Sequence, residues 1–463
     1  MAEREPNRRL AALMSEAGLT NKGLAKRMSD LSKLDGSEPI APSHTNVEKW
    51  LSGATKRPKA RTCHVLVKVL SHVLGRPVTM DDVGYGEVSA ENVDDTLEYP
   101  ETISDSITSL TQLASFELRP SGQSDRLLVV PAAWSSLLVK WMFGSDGERS
   151  RPVEPRPIGE FDVQAVHDAT TMFAGYDYRY GGGRPKPLVA QYLESEVLPL
   201  LPHVSPDNEL GRRYFQEVAA LTRLAGWTCY DTGQHALAQR YLHHAFRLAR
   251  AAGDRALAGR ILAGMSHQAN FLGYYEQAVH LARAASQGAR GQATPTAMAL
   301  FHSMEARALS SQGNEQEATT AMREAEKSLS ASNPANDPNW IRYFDLAELN
   351  AEFAHCFRDL DKPDLATEHA ARSIESSDSL YVRSLSFCRT VLATSYLQAN
   401  EVEQAVTVAR EVVDTAAGLK SYRVNSYLDE FRDRLRQHSD SSAVAAFEDY
   451  AADSMPSSLL RVL

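Results

Sequence analysis

Apolar residues recur at helical spacing over most of the chain. In the first 80 residues they outline a series of short helices, with breaks at Gly18, at Gly53 and in a polar stretch from 35 to 39. A polar region follows, in which residues 103–113 keep an apolar helical face. Helical periodicity is then continuous from about residue 209 to 437. These patterns predict an all-α protein with a small helical domain followed by a long helical array.

The third short helix of the N-terminal region has two contrasting faces. Ser43 is a suitable N-cap for residues 44–51, and Val47 and Trp50 supply the core face. The opposite face is polar, and a basic stretch with Lys59 follows it. A DNA major groove about 12 Å wide admits one helix, whose polar side chains reach base edges while neighbouring cations neutralise phosphates. This helix is therefore a candidate DNA-reading element.

Charge is distributed unevenly along the chain. The whole sequence has 49 Lys and Arg against 59 Asp and Glu, a net charge of −10. Residues 1–80 hold 14 basic and 7 acidic residues and are +7, whereas the remainder holds 35 and 52 and is −17. A bound polyanion would therefore meet the N-terminal region, because the rest of the chain would repel it.

Two strings in the basic region resemble a known family. LTNKGLAKRM (19–28) and SHTNVEKWLSG (43–53), followed by Pro58 and Lys59, are similar to a lambda-repressor-like helix-turn-helix domain. The resemblance implies a five-helix DNA-binding domain whose contact residues are Asn21, Lys22, Ser43, His44, Thr45, Asn46, Lys49, Lys56, Arg57 and Arg61. Residues 29–41 separate the two helices here, where the family usually has a tight turn. A small helical docking or dimerisation domain with a basic surface is the alternative.

A motif of about 40 residues recurs five times in the acidic region. A turn residue is followed five positions later by alanine and seven further on by a small or apolar residue, and the key alanines are Ala238, Ala278, Ala318, Ala366 and Ala405. Small residues let two antiparallel helices approach closely, and Gly or Asn permits the left-handed turn between them. The pattern resembles the tetratricopeptide repeat, which implies an α-solenoid with a concave groove.

By the same resemblance, residues on the first helix of a pair, which precedes the key alanine, line the groove. They are Arg223, Trp227, Tyr230, Arg260, His267, Asn270, Arg307, Glu348, His355 and Arg358. Arginine donates in a bidentate fork and an asparagine amide matches both backbone groups, so this groove would suit a carboxylate or a peptide. A solvated concave face without a ligand is the alternative.

Several classes of function are disfavoured. The four cysteines are scattered without a C-x-x-C pair, which argues against a disulfide framework and a zinc site and fits a reducing cytoplasm. The charged N-terminus lacks the apolar region of a signal peptide, and the apolar run 127–143 is too short and polar to span a membrane. Catalytic and nucleotide-binding motifs are missing. We therefore expect no enzymatic activity, cofactor, metal or membrane partner.

Together, these patterns divide the chain into four regions. They are a helix-turn-helix domain (7–83), a linker with one or two helices (84–157), a helical lead-in (158–205) and five tetratricopeptide-like repeats with closing helices (206–455). The whole resembles transcriptional regulators of filamentous actinobacteria. This resemblance implies a cytoplasmic homodimer that binds double-stranded DNA sequence-specifically and senses a peptide, small-molecule or protein partner. The alternative is a tetratricopeptide scaffold protein, with the basic domain as a docking module.

Overall fold

The computed structural model describes residues 6–34, 40–55, 58–74, 78, 82–85, 97, 102–118, 127–143 and 158–454. All regular secondary structure in these ranges is helical, which confirms the all-α prediction. The chain divides into two compact units, Met1–Asn92 and Val93–Leu463.

The N-terminal unit contains four described helices around one apolar core. They are α1 (Arg8–Glu16), α2 (Asn21–Leu34), α3 (His44–Leu51) and α4 (Ala60–Leu74). Leu10, Leu24, Val47 and Leu66 are fully buried in this core. The fifth helix of the sequence prediction falls after residue 74, in a stretch that is mostly outside the described residues.

Part of the segment between the two similar strings is helical. Helix α2 continues through Leu34, so residues 29–34 extend this helix. Ser32, which is 1% exposed, attaches the far end of the connection to this helix. Its hydroxyl donates to the carbonyl of Ile40 at 3.0 Å and accepts from the Ile40 amide at 3.1 Å. The extension of α2 therefore positions the approach to α3.

Two helices from the predicted linker region pack against the repeats. Helices α5 (Ile103–Glu117) and α6 (Pro131–Phe143) belong to the C-terminal unit. The Tyr241 hydroxyl donates to Glu117 at 2.6 Å, and the Trp141 indole donates to the Ala284 carbonyl at 3.0 Å. Through these contacts both helices pack on the repeats.

The lead-in to the repeats consists of α7 (Glu160–Tyr180), α8 (Lys186–Tyr192) and a π-helical turn, Leu193–Val197. The glycine-rich stretch between α7 and α8 is a turn that packs against the far end of the repeats. The Gly183 amide donates to the Lys420 carbonyl at 2.9 Å, and the Lys420 amide donates to the Tyr180 carbonyl at 3.0 Å. A side chain at Gly183 would come within 2.9 Å of the Lys420 carbonyl oxygen, so glycine permits this approach.

Five antiparallel helix pairs follow. Their first helices are α9 (Glu209–Asp231), α11 (Arg255–Phe271), α13 (Pro295–Ser311), α15 (Leu346–Asp359) and α17 (Val382–Gln398). Their second helices are α10 (His235–Ala251), α12 (Tyr275–Gly288), α14 (Glu315–Ser330), α16 (Pro363–Ser376) and α18 (Val402–Ala416). All five key alanines are fully buried. The five turn residues have positive φ, including the non-glycine residues Asp361 and Asn400. The predicted repeat register is therefore correct.

Two further elements cover the concave side of the repeats. Helix α7 packs on the first helices of both the first and the fifth pair, α9 and α17. After the fifth pair, α19 (Tyr422–Leu435) turns back and places Arg423 over the rings of Trp227 and Tyr230 in the first pair. Helix α20 (Ser442–Ser454) then packs on α18. The groove expected from the sequence is consequently narrowed by these two elements.

Candidate functional site

The first candidate surface is the outer face of α3. Ser43 caps the helix, and Val47 and Trp50 are buried beneath it. His44, Thr45, Asn46 and Lys49 are exposed, as the sequence predicted for a recognition helix. This arrangement leaves a polar helical surface available to another molecule.

Asn46 has a structural role at the start of α3. Its side-chain oxygen accepts from the Ser43 amide at 2.9 Å and from the Ser43 hydroxyl at 2.7 Å, and the Ser43 hydroxyl accepts from the Asn46 amide. This reciprocal capping box satisfies donors that the helix leaves without an intrahelical partner. The Asn46 oxygen is therefore engaged within the protein, and its NH₂ group is the part available for a base.

The remaining predicted DNA contacts are only partly visible. Lys22 is exposed near the start of α2, and Asn21 beside it is half-buried. Lys56 and Arg57 lie outside the described residues, and so does the side chain of Arg61. Helices α1, α2 and α3 have no acidic residue in their first turns, so the positive ends of their dipoles are not neutralised there.

The second candidate site is a cavity of about 90 Å³ inside the helix pairs. It brings together residues from five first helices with others from α7, α19 and the segment before α15. Seven predicted groove residues line it: Arg223, Trp227, Arg260, His267, Arg307, Glu348 and His355. Most of the residues predicted to line the groove therefore line the same cavity.

Three predicted groove residues are elsewhere. Asn270 and Arg358 line a second cavity of about 690 Å³, which shares His267 and Arg307 with the first. Tyr230 is fully buried behind the wall, where its hydroxyl lies 2.8 Å from Nδ1 of His267. The residues expected to line one groove are thus distributed over two neighbouring cavities and the wall behind them.

Buried ion pairs form part of the wall of the smaller cavity. Arg383 contacts both carboxylate oxygens of Asp177, at 2.5 and 2.7 Å, and lies 3.2 Å from Asp231. Arg307 contacts Glu352 at 2.8 Å and also donates to the Tyr427 hydroxyl at 3.2 Å. Burial opposes the charge of Arg307, but Glu352 more than offsets it and raises the pKa of the guanidinium. These arginines are held by acidic partners within the fold.

Arg223 and Arg260 differ from these arginines. Neither forms an ion pair with a carboxylate of the described residues. Arg260 donates to the Tyr343 hydroxyl at 3.0 Å and lies over the Tyr343 ring. Burial, and then repulsion from Arg260, lowers the pKa of Arg223 to about 10. The cavity therefore contains two neighbouring cations that form no direct ion pair with any described carboxylate.

Three other groups of the cavity, His267, His355 and Glu348, favour their neutral forms. Burial and the nearby arginines hold the pKa of His267 and of His355 well below the usual range. Burial, followed by repulsion from Glu352 and Asp345, raises the pKa of Glu348 to about 8. The carboxyl of Glu348 therefore holds its proton to a higher pH than an ordinary glutamate and compensates Arg260 less than a fully ionised carboxylate would. The positive charge inside the cavity comes from arginines.

Sequence reasoning missed several residues of this cavity. Arg383 lies near the start of the first helix of the fifth pair, one turn before the positions that the resemblance assigns to the groove. Including that extra turn would have identified it. Arg423 belongs to a closing helix without a repeat register, and Asp177 and Tyr178 belong to the lead-in helix. The folding back of α7 and α19 depends on long-range packing, which has no local sequence signal.

Comparison with known families gives one finding. Residues 10–86 match the family model of the SP15 N-terminal domain, which corresponds closely to the N-terminal unit. No curated protein matches the chain. Within the described residues, no cluster of three or more His, Cys, Asp or Glu could hold a metal ion, and no helix is both long and apolar enough to cross a membrane.

Proposed function

We propose that the protein is a sequence-specific DNA-binding transcriptional regulator whose helix pairs bind a second partner. The observation that carries the proposal is the exposed polar face of α3, with His44, Thr45 and Lys49 above a core of Val47 and Trp50. Side chains of this kind can donate hydrogen bonds to base edges, or accept hydrogen bonds from them, when their helix enters a major groove.

Charge supports the same assignment. The N-terminal unit exposes cations that could contact phosphates: Arg8, Lys22, Lys26, Arg27, Lys49 and Lys59. Helix amino termini without acidic residues also attract phosphate. The acidic remainder of the chain repels DNA, so contact would be restricted to the basic unit.

Symmetry is the second part of the proposal. One small domain offers few base contacts, and helix-turn-helix domains commonly act as two-fold dimers on half-sites one helical turn apart or a multiple of it. We propose that two cytoplasmic copies of the chain bind an inverted repeat. A ligand in the helix pairs would change operator affinity to the extent that it prefers one arrangement of the dimer.

Selection of bound fragments from random double-stranded DNA with the full-length protein tests this function. Enrichment of an inverted repeat, with affinity at least 10³-fold above that for random DNA, is the expected result. Equal binding of all sequences, or no binding at low salt, would overturn the proposal. The mass of the complex on the selected site gives the number of chains.

A scaffold protein is the second candidate, and one observation favours it. Helix α7 exposes Met172, Tyr176 and Tyr180 at four-residue spacing, and Phe161 at its start is 92% exposed. Apolar side chains aligned on one helix face can dock a protein. A scaffold would capture its partner through this face and show no dependence on DNA sequence, which the same selection experiment measures.

A further inference from the structure

The arginines of the smaller cavity fall into two groups. Arg307 and Arg383 contact buried carboxylates directly, and Arg423 lies 3.7 Å from Asp231. Arg223 and Arg260 have no carboxylate partner among the described residues. Arg260 is 7% exposed and Arg223 is half-buried, and the Nε atoms of both are buried without a hydrogen-bond acceptor among the described residues.

This arrangement is unfavourable for the two arginines. A buried charge loses hydration, and only an opposite charge or several hydrogen bonds can compensate for that loss. Arg223 and Arg260 instead repel each other, and burial together with this repulsion lowers the pKa of Arg223. The acidic residues that could relieve them, Asp177 and Glu352, are already engaged by Arg383 and Arg307. An external anion would satisfy both guanidinium groups.

We infer that Arg223 and Arg260 bind the oxyanion group of a small ligand, a carboxylate or a phosphate, inside the helix pairs. The inference deepens the proposed function, because it names the chemical class of the ligand that the repeats would sense. Two guanidinium groups can donate several charge-assisted hydrogen bonds to one oxyanion.

Tyrosine hydroxyls add neutral donors to the same cavity. Tyr343 already contacts Arg260, and its ring lies 6.2 Å from that of Tyr178, which also lines the cavity. Burial raises the pKa of both tyrosines, so their hydroxyl groups stay protonated and can donate hydrogen bonds to a ligand oxygen. Protonated Glu348 can donate in the same way. The wall therefore offers charged and neutral donors without adding a competing negative charge.

The size of the cavity limits the ligand. Its volume is about 90 Å³, smaller than the engineered cavity of about 150 Å³ that accommodates benzene. Asp177 and Tyr178 from α7 and Arg423 from α19 form part of its wall. An extended peptide laid along an open concave groove does not fit this geometry. The ligand is an anion of a few heavy atoms, or a larger molecule that inserts an anionic group of that size.

Isothermal titration calorimetry with the full-length protein tests the inference. The probes are inorganic phosphate, acetate and benzoate, each added at constant ionic strength to separate site binding from general salt effects. We expect one saturable site for at least one of them. Arg223→Met and Arg260→Met should each weaken that binding at least tenfold, whereas Arg389→Met, at an arginine that pairs with Glu411 on the outside, should leave it unchanged.

The unfolding midpoint of the ligand-free variants provides a second readout. Arg223→Met removes a repelling buried charge, so its midpoint should equal or exceed that of the wild type. Arg383→Met leaves Asp177 unpaired, so its midpoint should fall. The inference is overturned if none of the three anions binds saturably, or if Arg223→Met lowers the midpoint as much as Arg383→Met does. None of these measurements involves DNA, so their failure would be distinguishable from failure of the DNA-binding proposal.

Discussion

Arg383 of the fifth helix pair and Asp177 of α7 form a two-point ion pair with N–O distances of 2.5 and 2.7 Å, although 206 residues separate them in sequence. Their side chains are 6% and 1% exposed. A carboxylate oxygen of Asp231, in the first pair, lies 3.2 Å from the same guanidinium group. This contact joins the beginning and the end of the helix-pair array through one buried charge cluster.

Removal of one partner from this cluster should be strongly destabilising. Asp177→Asn leaves Arg383 with less compensation in a buried environment, and such losses cost about 3–5 kcal/mol. Arg389→Gln breaks the outer pair with Glu411, whose carboxylate side chain is 60% exposed, and should cost less than about 1 kcal/mol. Urea unfolding of both variants measures the difference. Equal effects would show that the cluster does not stabilise the closed arrangement.

The repeat register was predictable because its signals are local. Each turn residue and key alanine acts within one helix pair, where close packing needs a small side chain and the turn needs positive φ. Asp361 and Asn400 adopt that conformation without glycine, with φ of 56° and 62°. The closure by α7 and α19 was not predictable, because the partners of Asp177 and Arg423 are about 200 residues away in the sequence.

Base reading and phosphate contact should be separable by mutation in the N-terminal unit. Thr45→Ala and Lys49→Ala should each weaken binding to a selected site by about 1–3 kcal/mol and have little effect on random DNA. Lys22→Gln should weaken binding to both alike and reduce the salt slope by about one. Fluorescence anisotropy titrations at several salt concentrations measure these quantities. Uniform losses for Thr45→Ala and Lys49→Ala would argue against α3 as the reading helix.

Asn46 requires a paired comparison, because its side chain also caps α3. Asn46→Ala should destabilise the N-terminal unit by about 1 kcal/mol through loss of the capping box, in addition to any effect on DNA. Asn46→Asp keeps an oxygen for the Ser43 amide but replaces the NH₂ donor with a negative charge. We expect near wild-type thermal stability and at least tenfold weaker DNA binding from Asn46→Asp. Unchanged DNA affinity in this variant would place Asn46 away from the nucleic acid.

The docking of α6 depends on a glycine. A Cβ atom at Gly288 would lie 2.1 Å from Nε1 of Trp141, and that indole also donates to a buried backbone carbonyl. Gly288→Ala should therefore displace Trp141 and destabilise the protein by about 1–3 kcal/mol. Gly175→Ala is the control, because a Cβ there meets no atom within 4 Å and alanine favours the helix. Thermal unfolding should show a loss for the first variant and no loss for the second.

Buried histidines make stability fall in mild acid. Burial, and then Arg247, lowers the pKa of His243 to about 4, compared with about 6.5 in the unfolded chain. Below pH 6.5 the unfolded state binds a proton that the native state does not, so the free energy of unfolding decreases by about 1.4 kcal/mol per pH unit for this group until about pH 4. His243→Gln should remove one such contribution. Urea unfolding at pH 7 and pH 5 should therefore show a smaller acid loss in the variant than in the wild type, and equal losses would contradict the assignment.

The candidate cavity was predictable only as a set of residues. The repeat register placed Arg223, Arg260 and Arg307 on facing first helices, because equivalent positions of stacked pairs lie on the same side. The sequence could not show that Glu352 would neutralise Arg307 while Arg223 and Arg260 would have no acidic partner. That distinction depends on side-chain pairing across neighbouring helices and on elements from outside the repeats.

The backbone hydrogen bonds that join Lys420 to Gly183 and to Tyr180 have a consequence for how this protein can evolve. Open solenoids tolerate the gain or loss of a whole repeat, because each repeat contacts only its neighbours. Here the segment before the first pair must meet the residue after the fifth, and both bond through their main chains. Duplication or deletion of one pair would move Lys420 away by the width of a repeat and separate Arg383 from Asp177. Closure therefore fixes the number of pairs at five, and variation among descendants of this chain should accumulate as substitutions and loop-length changes rather than as changes in repeat number.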